Sequence, residues 1–262
     1  MLKKISDLEF IKLLKNSNNN NGALSYSKAS RIINRGSIAA IMKKPDPREK
    51  FNLGTLVHEL LLTPEAIDGK YMVENYKGKS RNEHIASLGK IRVSKDAFDT
   101  ATQMVKCIRN HNTASQWLAG TTTEITSTHT CPDYGIDIKC KLDAYRDWGD
   151  GCSIVDLKTI GTYQLQGNLR KYIIDSNYHM QAAAYPESVR INTGKTASYV
   201  LIFVETDYHV VNGAEHHGSR CCRISNSLLQ EGVELWNKAK SIYADACNTG
   251  IFTDYPDELI EL

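Results

Sequence analysis

Asp143, Asp156 and Lys158 lie close together in the chain, the last two within Ile154-Val155-Asp156-Leu157-Lys158-Thr159. A turn at Trp148-Gly149-Asp150-Gly151 separates them from Lys141-Leu142-Asp143, so the segment reads as a β-hairpin. Same-face residues of a strand stand roughly 6.5–7 Å apart, which lets Asp156 and Lys158 project together while the neighbouring strand brings Asp143 alongside. Carboxylates gathered in this way hold divalent cations. Bound metal acidifies water, and a lysine beside it steadies charge developing on a phosphate. Hydrolysis of a phosphodiester is the chemistry such a set suits. A solvated Asp–Lys pair on an exposed hairpin would show the same residues, so the surrounding elements have to discriminate.

Around the hairpin the hydrophobic period is two. Thr123–Thr128 is β-branched and predicts a strand, with Glu124 on the face of Thr126 and Thr128, and Pro132-Asp133-Tyr134-Gly135 supplies a turn. Ile136, Ile138, Cys140, Leu142 and Ala144 then alternate with Asp137, Lys139, Lys141 and Asp143. Ala197 to Val204 is an apolar run suited to a strand covered on both faces, and another strand is expected near Arg220 to Ile224.

Elsewhere the period is helical. Leu53, Leu56, Val57, Leu60 and Leu61 mark a core-facing helix with Gly54 near its start, Pro64 at its end and His58 at the border of its stripe. Further helices are expected from Ser25 through Met42, from Lys95 to Trp117, over 162–190, and from Leu228 through Tyr243. Residues 69–92 are polar and weakly periodic, a long basic loop or lid. Ile5, Leu8, Ile11 and Leu14 predict a short amphipathic helix, followed by an asparagine-rich linker to Gly22. The expected organisation is therefore an N-terminal helix and linker (1–22) before a single α/β domain (23–262).

With 262 residues, 41% of them hydrophobic, the chain can bury a full core. Its net charge of +2 excludes a uniformly basic surface, so any DNA-binding groove must be local or built from several subunits. Seven scattered cysteines without a Cys-x-x-Cys pair suit reduced thiols rather than a zinc site. Position 62 is Leu, so His58-Glu59 does not open a zincin motif. His216-His217 reads as a solvated loop. The absence of a signal-like or membrane-length apolar run points to the cytoplasm.

Gly54-x-x-x-His58, Lys141-Leu142-Asp143, Asp156-Leu157-Lys158-Thr159 and Tyr178-His179-Met180-Gln181-x-x-x-Tyr185 follow one another in the order of the motifs of the PD-(D/E)xK nuclease superfamily. Within it the chain resembles the RecE (exonuclease VIII) family of phage and prophage recombination exonucleases. Ser25-Tyr26-Ser27-Lys28-Ala29-Ser30 and Phe203-Val204-Glu205-Thr206 are similar to further family segments, and the likeness spans roughly residues 23–210.

The resemblance implies a PD-(D/E)xK core, a central mixed β-sheet flanked by helices. It implies that His58, Asp143 and Asp156 are metal ligands, with the Leu157 carbonyl completing the shell, and that Lys158 is the catalytic lysine. Glu124 falls where the family has an additional acid. Gln181 and Tyr185, one turn apart, correspond to residues that contact substrate phosphate and support the lysine. Pro186 directly after Tyr185 leads to the expectation that the helix kinks or ends there. Mg²⁺ is the implied cofactor, with Mn²⁺ as a substitute. The iron–sulfur cluster of some RecB-type relatives is not expected, because the required cysteines are missing.

The implied activity is 5′→3′ exonucleolysis of double-stranded DNA ends to 5′-mononucleotides, leaving 3′ single-stranded tails for recombination by annealing. A ring-shaped homo-oligomer and a RecT-type annealing partner are implied with it. The alternatives are a RecB-like endonuclease or single-strand exonuclease, or a catalytically silent DNA-binding module. Lys28, Arg31, Lys77, Lys79, Arg81, Arg170 and Lys171 are the candidate phosphate contacts.

Overall fold

The structure, a computed structural model, describes residues 22–41, 52–74 and 78–251. The helix expected over 1–15, the linker up to residue 21, and Lys77 lie outside the described residues. A short strand β1 (Leu24–Ser25) leads into helix α1 (Tyr26–Arg35), whose first turn is capped by the Ser25 hydroxyl accepting from the Lys28 amide. Gly36, with φ 58°, closes α1 in the left-handed conformation that glycine tolerates best. The helix therefore stops short of Met42, and a 3₁₀ turn over Ile38–Ile41 follows it.

Helix α2 (Leu53–Leu62) starts from an Asn52 cap and is succeeded by a 3₁₀ turn at Pro64–Ala66 and a short α3 (Ile67–Lys70). The stretch expected as a loop or lid instead holds β2 (Tyr71–Val73), α4 (Lys79–Ser87) and β3 (Ile91–Val93), with β2 and β3 parallel. Three-residue strands are too short to display an alternation, which is why the sequence pattern missed them. The long helix expected next is two, α5 (Lys95–Asn110) and α6 (Asn112–Leu118). His111 adopts an extended backbone between them, and its Nδ1 accepts from the Ala114 amide at 3.2 Å to cap the second.

Strands β4 (Thr122–Thr130), β5 (Asp137–Asp147) and β6 (Cys152–Ile160) form an antiparallel meander. Helices α7 (Thr162–Gln166), α8 (Leu169–Asp175) and α9 (Tyr178–Thr193) then cross over to β7 (Ala197–Glu205), which runs parallel to β6. A small hairpin, β8 (His209–Val211) and β9 (Ala214–His216), precedes β10 (Ser219–Cys222), antiparallel to β7, and the long α10 (Asn226–Thr249). The main sheet is thus mixed, ordered β1-β5-β6-β7-β10 with β4 also on β5.

Helices cover both faces. Leu201 and Phe203 pack toward α1, α9 and α10, with Trp236 and Tyr243 in the same cluster. Val155, Leu157, Ile202 and Val204 pack with Leu56 and Val57 of α2 and Met104 and Ile108 of α5. Burial on both faces accounts for the apolar run of β7 from Tyr199 to Val204. Helix α9 passes through Pro186 without ending. Its residues from His179 to Tyr185 are all buried, and tertiary packing of this extent outweighs the lost backbone bond. Gly232 lets α10 cross α9 backbone to backbone, since a Cβ there would lie 2.2 Å from the His179 carbonyl oxygen. His217 is not part of a solvated loop: it is fully buried beneath the β8–β9 hairpin, and only His216 is exposed.

Candidate active site

The site opens where two strands part. β5 and β6 pair from Asp147–Cys152 up to Ala144–Val155 and no further, and β1 takes the edge of β5 beyond, at Ile138 and Lys139. The next residue on each parting strand is an acid, Asp143 on β5 and Asp156 on β6. The Leu157 amide, released from the ladder, donates to Asp143 Oδ2 at 2.9 Å. A cleft of ≈480 Å³ fills the gap, and Asp143, Asp156, Lys158, His58 and Gln181 line it.

Helix α2 reaches this gap because Gly54 has no side chain. A Cβ at Gly54 would stand 2.7 Å from Thr159 Oγ1, so the helix start rests directly on β6, one residue past Lys158. One turn on, His58 projects into the cleft, its Nε2 3.0 Å from Asp143 Oδ1 and its Nδ1 3.4 Å from Glu124 Oε1. The register that pairs Thr123 with Ala144 and Ile125 with Leu142 sets Glu124 opposite Asp143. Glu124 holds φ at 59°, an uncommon conformation for a side-chain-bearing residue in a strand. Its other oxygen meets the Lys141 ammonium.

Asp156 faces a second group of partners. Its Oδ1 accepts from Gln181 Nε2 at 2.6 Å, and Lys158 Nζ lies 2.5 Å from Oδ2. The Lys158 ammonium also sits 4.7 Å from the centroid of the Tyr178 ring. Tyr185 borders the cleft as a buried wall, edge-on to Tyr26 and to Tyr199.

Charges crowd this space. Burial raises the Asp156 carboxyl to about 6, and the neighbouring Asp143 reinforces the shift against the pull of Lys158. Burial alone would lower His58, but the hydrogen bond and charge of Asp143, with Glu124 and Asp156 behind it, outweigh it and the imidazole is raised. Asp143 is lowered despite its burial, because His58, Lys158 and the Leu157 amide all favour its charged form.

One ligand atom each from His58, Glu124 and Asp143 lies within 4.8 Å of the others, a spacing that one cation could bridge. Two carboxylates and an imidazole form a donor set that suits a divalent cation. Glu124 Oε1 is buried with the His58 Nδ1 contact at 3.4 Å but no hydrogen bond, an oxygen that a cation would satisfy. The structure thus groups His58, Asp143 and Glu124 at one point and Asp156, Lys158 and Gln181 at another, with Leu157 between them. Asp156 has both oxygens engaged and lies outside the three-residue cluster.

Among the described side chains, Lys28, Arg31, Arg170 and Lys171 do not line the cleft, whereas Lys141 does. Arg31 and Arg170 are exposed, Lys171 pairs with Asp175, and Lys28 donates to the Ala23 carbonyl. Sequence reasoning left Lys141, Tyr26 and Tyr178 without a role. Their signals were present, since Lys141 shares the strand face of Asp143 and Tyr178 precedes Gln181 by one helical turn.

This arrangement of a split mixed sheet, acids on the two parting strands and a lysine two residues after the second acid defines a PD-(D/E)xK fold. The chain belongs to a family described as the PDDEXK-like domain of unknown function (DUF3799), which matches residues 37–251. Among solved structures, the chain is similar to that of a candidate exonuclease from Eubacterium rectale. The two share 15% identity over 99% of this chain and 96% of that one, with a TM-score of 0.63. A second structure, SSO0001, aligns over 75% of this chain and 79% of that one at 12% identity, with a TM-score of 0.29 that bears no weight. A search among curated proteins finds no match. Among the described residues, no helix is long and apolar enough to cross a membrane.

Proposed function

We propose that the protein is a metal-dependent exonuclease of the RecE (exonuclease VIII) kind, degrading double-stranded DNA from its ends in the 5′→3′ direction and leaving 3′ single-stranded tails. The observation that carries this reading is the junction, in one cleft, of the His58–Glu124–Asp143 donors with the buried Asp156–Lys158–Gln181 group. A divalent ion, Mg²⁺ or Mn²⁺, supplies acidified water and charge neutralisation when bound.

His58, Glu124, Asp143 and Asp156, with the Leu157 carbonyl, are the proposed ligands, and the amide of Leu157 fixes the Asp143 carboxylate for that work. Lys158, held between Asp156 and the Tyr178 ring, orients the nucleophile and steadies the charge growing on the phosphate. Gln181 keeps the Asp156 carboxylate turned toward Lys158, and Tyr185 closes the wall behind it. The net charge of +2 fits a basic channel shared among copies in a ring better than one built by a single chain. A RecT-type annealing protein in the same cytoplasm is the proposed partner for the tails.

The test incubates the purified protein with linear duplexes labelled at the 5′ or the 3′ end, in Mg²⁺ or in EDTA. The expected result is Mg²⁺-dependent release of 5′-labelled mononucleotides. Degradation that persists in EDTA removes the metal site from the mechanism. Cleavage of covalently closed circles replaces the exonuclease with an endonuclease.

A further inference from the structure

We propose that Lys141 is an exchangeable cation of the cleft. It neutralises Glu124 while no metal is bound, and metal on Glu124 releases it to a non-bridging oxygen of a DNA phosphodiester. This role rests on the nuclease reading above and gives that site a substrate contact.

The two lysines of the cleft are held in opposite ways. Lys158 is pinned: its ammonium lies 2.5 Å from Asp156 Oδ2 and 4.7 Å from the Tyr178 ring centroid, and its side chain is 17% exposed. Lys141 is 58% exposed and pairs with Glu124. An ion pair so open to water contributes little to stability, and the four-carbon stem of a lysine is flexible. Such a pair exchanges partners readily.

Strand geometry sets the two destinations. Lys141 shares a face of β5 with Asp143. The register that pairs Thr126 with Lys141 sets Glu124 diagonally across the ladder, within reach of a long side chain. At this point β5 has already left β6, since their pairing ends at Ala144 and Val155. Lys141 therefore stands in the parted segment and lines the cleft together with Lys158.

Glu124 couples the two states. Its Oε1 turns to His58 and belongs to the proposed metal donors, and its Oε2 holds Lys141. A divalent ion on this carboxylate takes up its charge and repels the ammonium beside it. Charge balance then names the ligand. Ionised Glu124, Asp143 and Asp156 carry three negative charges, which one divalent ion and Lys158 offset. His58 is neutral as a ligand. Among the described residues lining the cleft, Lys141 is the charged side chain left over. Its single positive charge matches the single negative charge of a phosphodiester, a contact that positions a strand without reading its sequence.

The test needs no turnover. In a Lys158→Ala background, which keeps the metal donors, binding of a fluorescent linear duplex is measured with and without Lys141→Met, in Mn²⁺ and in EDTA, over a salt series. In Mn²⁺, Lys141→Met should weaken binding roughly tenfold and lower the log–log salt slope by about one. In EDTA the two proteins should bind alike, because Glu124 then holds Lys141. Lys141→Arg keeps the charge and should restore the slope. An unchanged slope in Mn²⁺ overturns the phosphate contact, and an equal change in EDTA overturns the exchange. Without DNA and with Lys158 intact, isothermal titration with Mn²⁺ should show Lys141→Met binding metal roughly two- to fivefold more tightly than the native protein, since no ammonium has to be displaced. Equal or weaker affinity overturns the exchange by itself. If the native protein degrades duplex and Lys141→Met has the same KM, the proposal falls while the nuclease reading stands. If no variant binds duplex in either condition, both fall.

Discussion

Helix α9 separates two cavities of nearly equal volume, and a carboxylate paired with a lysine borders each of them. On one side, in the ≈480 Å³ cleft, Asp156 meets Lys158 at 2.5 Å. On the other, Glu187 lines a cavity of ≈500 Å³ and meets Lys240 at 2.8 Å. There the pair is saturated: the second Glu187 oxygen accepts from the Trp236 indole, and the buried Lys240 lies 5.8 Å and 5.7 Å from the Tyr134 and Trp236 ring centroids. Apolar residues such as Ala182, Pro186 and Val233 complete the lining. This is a clamp between α9 and α10. In the cleft, two further titratable groups, Asp143 and His58, converge on Asp156, and both Asp156 and His58 are displaced from their ordinary values. Volume and ion pairing are common to both regions. What distinguishes the cleft is like charge forced together, the condition under which a cation is worth binding.

The largest effects should divide along that line. Asp156→Asn and Lys158→Ala should each lower cleavage of linear duplex by on the order of 10²–10⁴-fold. Asn keeps an acceptor for Gln181 and removes a buried charge, so the melting temperature of Asp156→Asn should not fall. Lys240→Ala should do the reverse. Breaking the clamp should cost about 3 kcal/mol of stability, with cleavage by the folded protein essentially unchanged. Thermal unfolding beside an end-labelled nuclease assay reads both. If Lys240→Ala lost activity at a temperature where it stayed folded, the two regions would have to be treated as one.

Metal should strengthen the cleft and leave the clamp alone, and the effect should depend on pH. Both displaced groups are raised, Asp156 above 3.8 and His58 above 6.5. Each therefore contributes stability at low pH that is lost as pH rises through its folded value. In EDTA this portion of the stability should decline between pH 5 and pH 8. Asp143 is lowered, so its contribution is present above 3.8 and does not change sign in that window. Loading the proposed site needs His58 neutral and the carboxylates charged. Metal at about 100-fold above Kd should add roughly 2.7 kcal/mol, or roughly 5–10 °C. Differential scanning fluorimetry with Mn²⁺ or EDTA at pH 5.5 and 7.5 should show the larger shift at pH 7.5, and still show it in Lys240→Ala. An equal shift at both pH values would detach metal binding from these groups.

Much of the cleft was legible because its residues lie on regular elements. The alternation in β5 placed Asp143 opposite the apolar face, and the spacing Asp-x-Lys placed Asp156 and Lys158 on one side of β6. The stripe of α2 put His58 at a border, but the reason it reaches the acids, Gly54 resting on Thr159, is a contact between elements that no local pattern carries. The parting of β5 from β6 was likewise hidden, since alternation persists through Ala144 and Val155 whether or not the ladder does. Misjudged features share this cause. Pro186 would break an isolated helix, but α9 is buried at every residue from His179 to Tyr185. His217 looked solvated because its partners are carbonyls of Glu205 and Asp207, invisible in a side-chain pattern.

The smallest effect expected is also the one that separates the two regions most cleanly, because it concerns backbone conformation. The clamp residues all lie in helices, whereas Glu124 holds φ at 59° within β4. If that strain exists to aim a carboxylate at His58 and Asp143, the carboxylate and the strain can be removed separately. Glu124→Ala removes only the carboxylate and keeps a Cβ in the left-handed region; Glu124→Gly removes both. Both variants should lose metal affinity to a similar degree, roughly 10–100-fold. Glu124→Gly should nevertheless be the more stable of the two by about 1 kcal/mol, because glycine adopts this conformation freely. Isothermal titration with Mn²⁺ and chemical denaturation, run on the same preparations, measure the two quantities. Equal stability of the variants would mean that the conformation of residue 124 carries no strain, and unchanged affinity in both would remove Glu124 from the donor set.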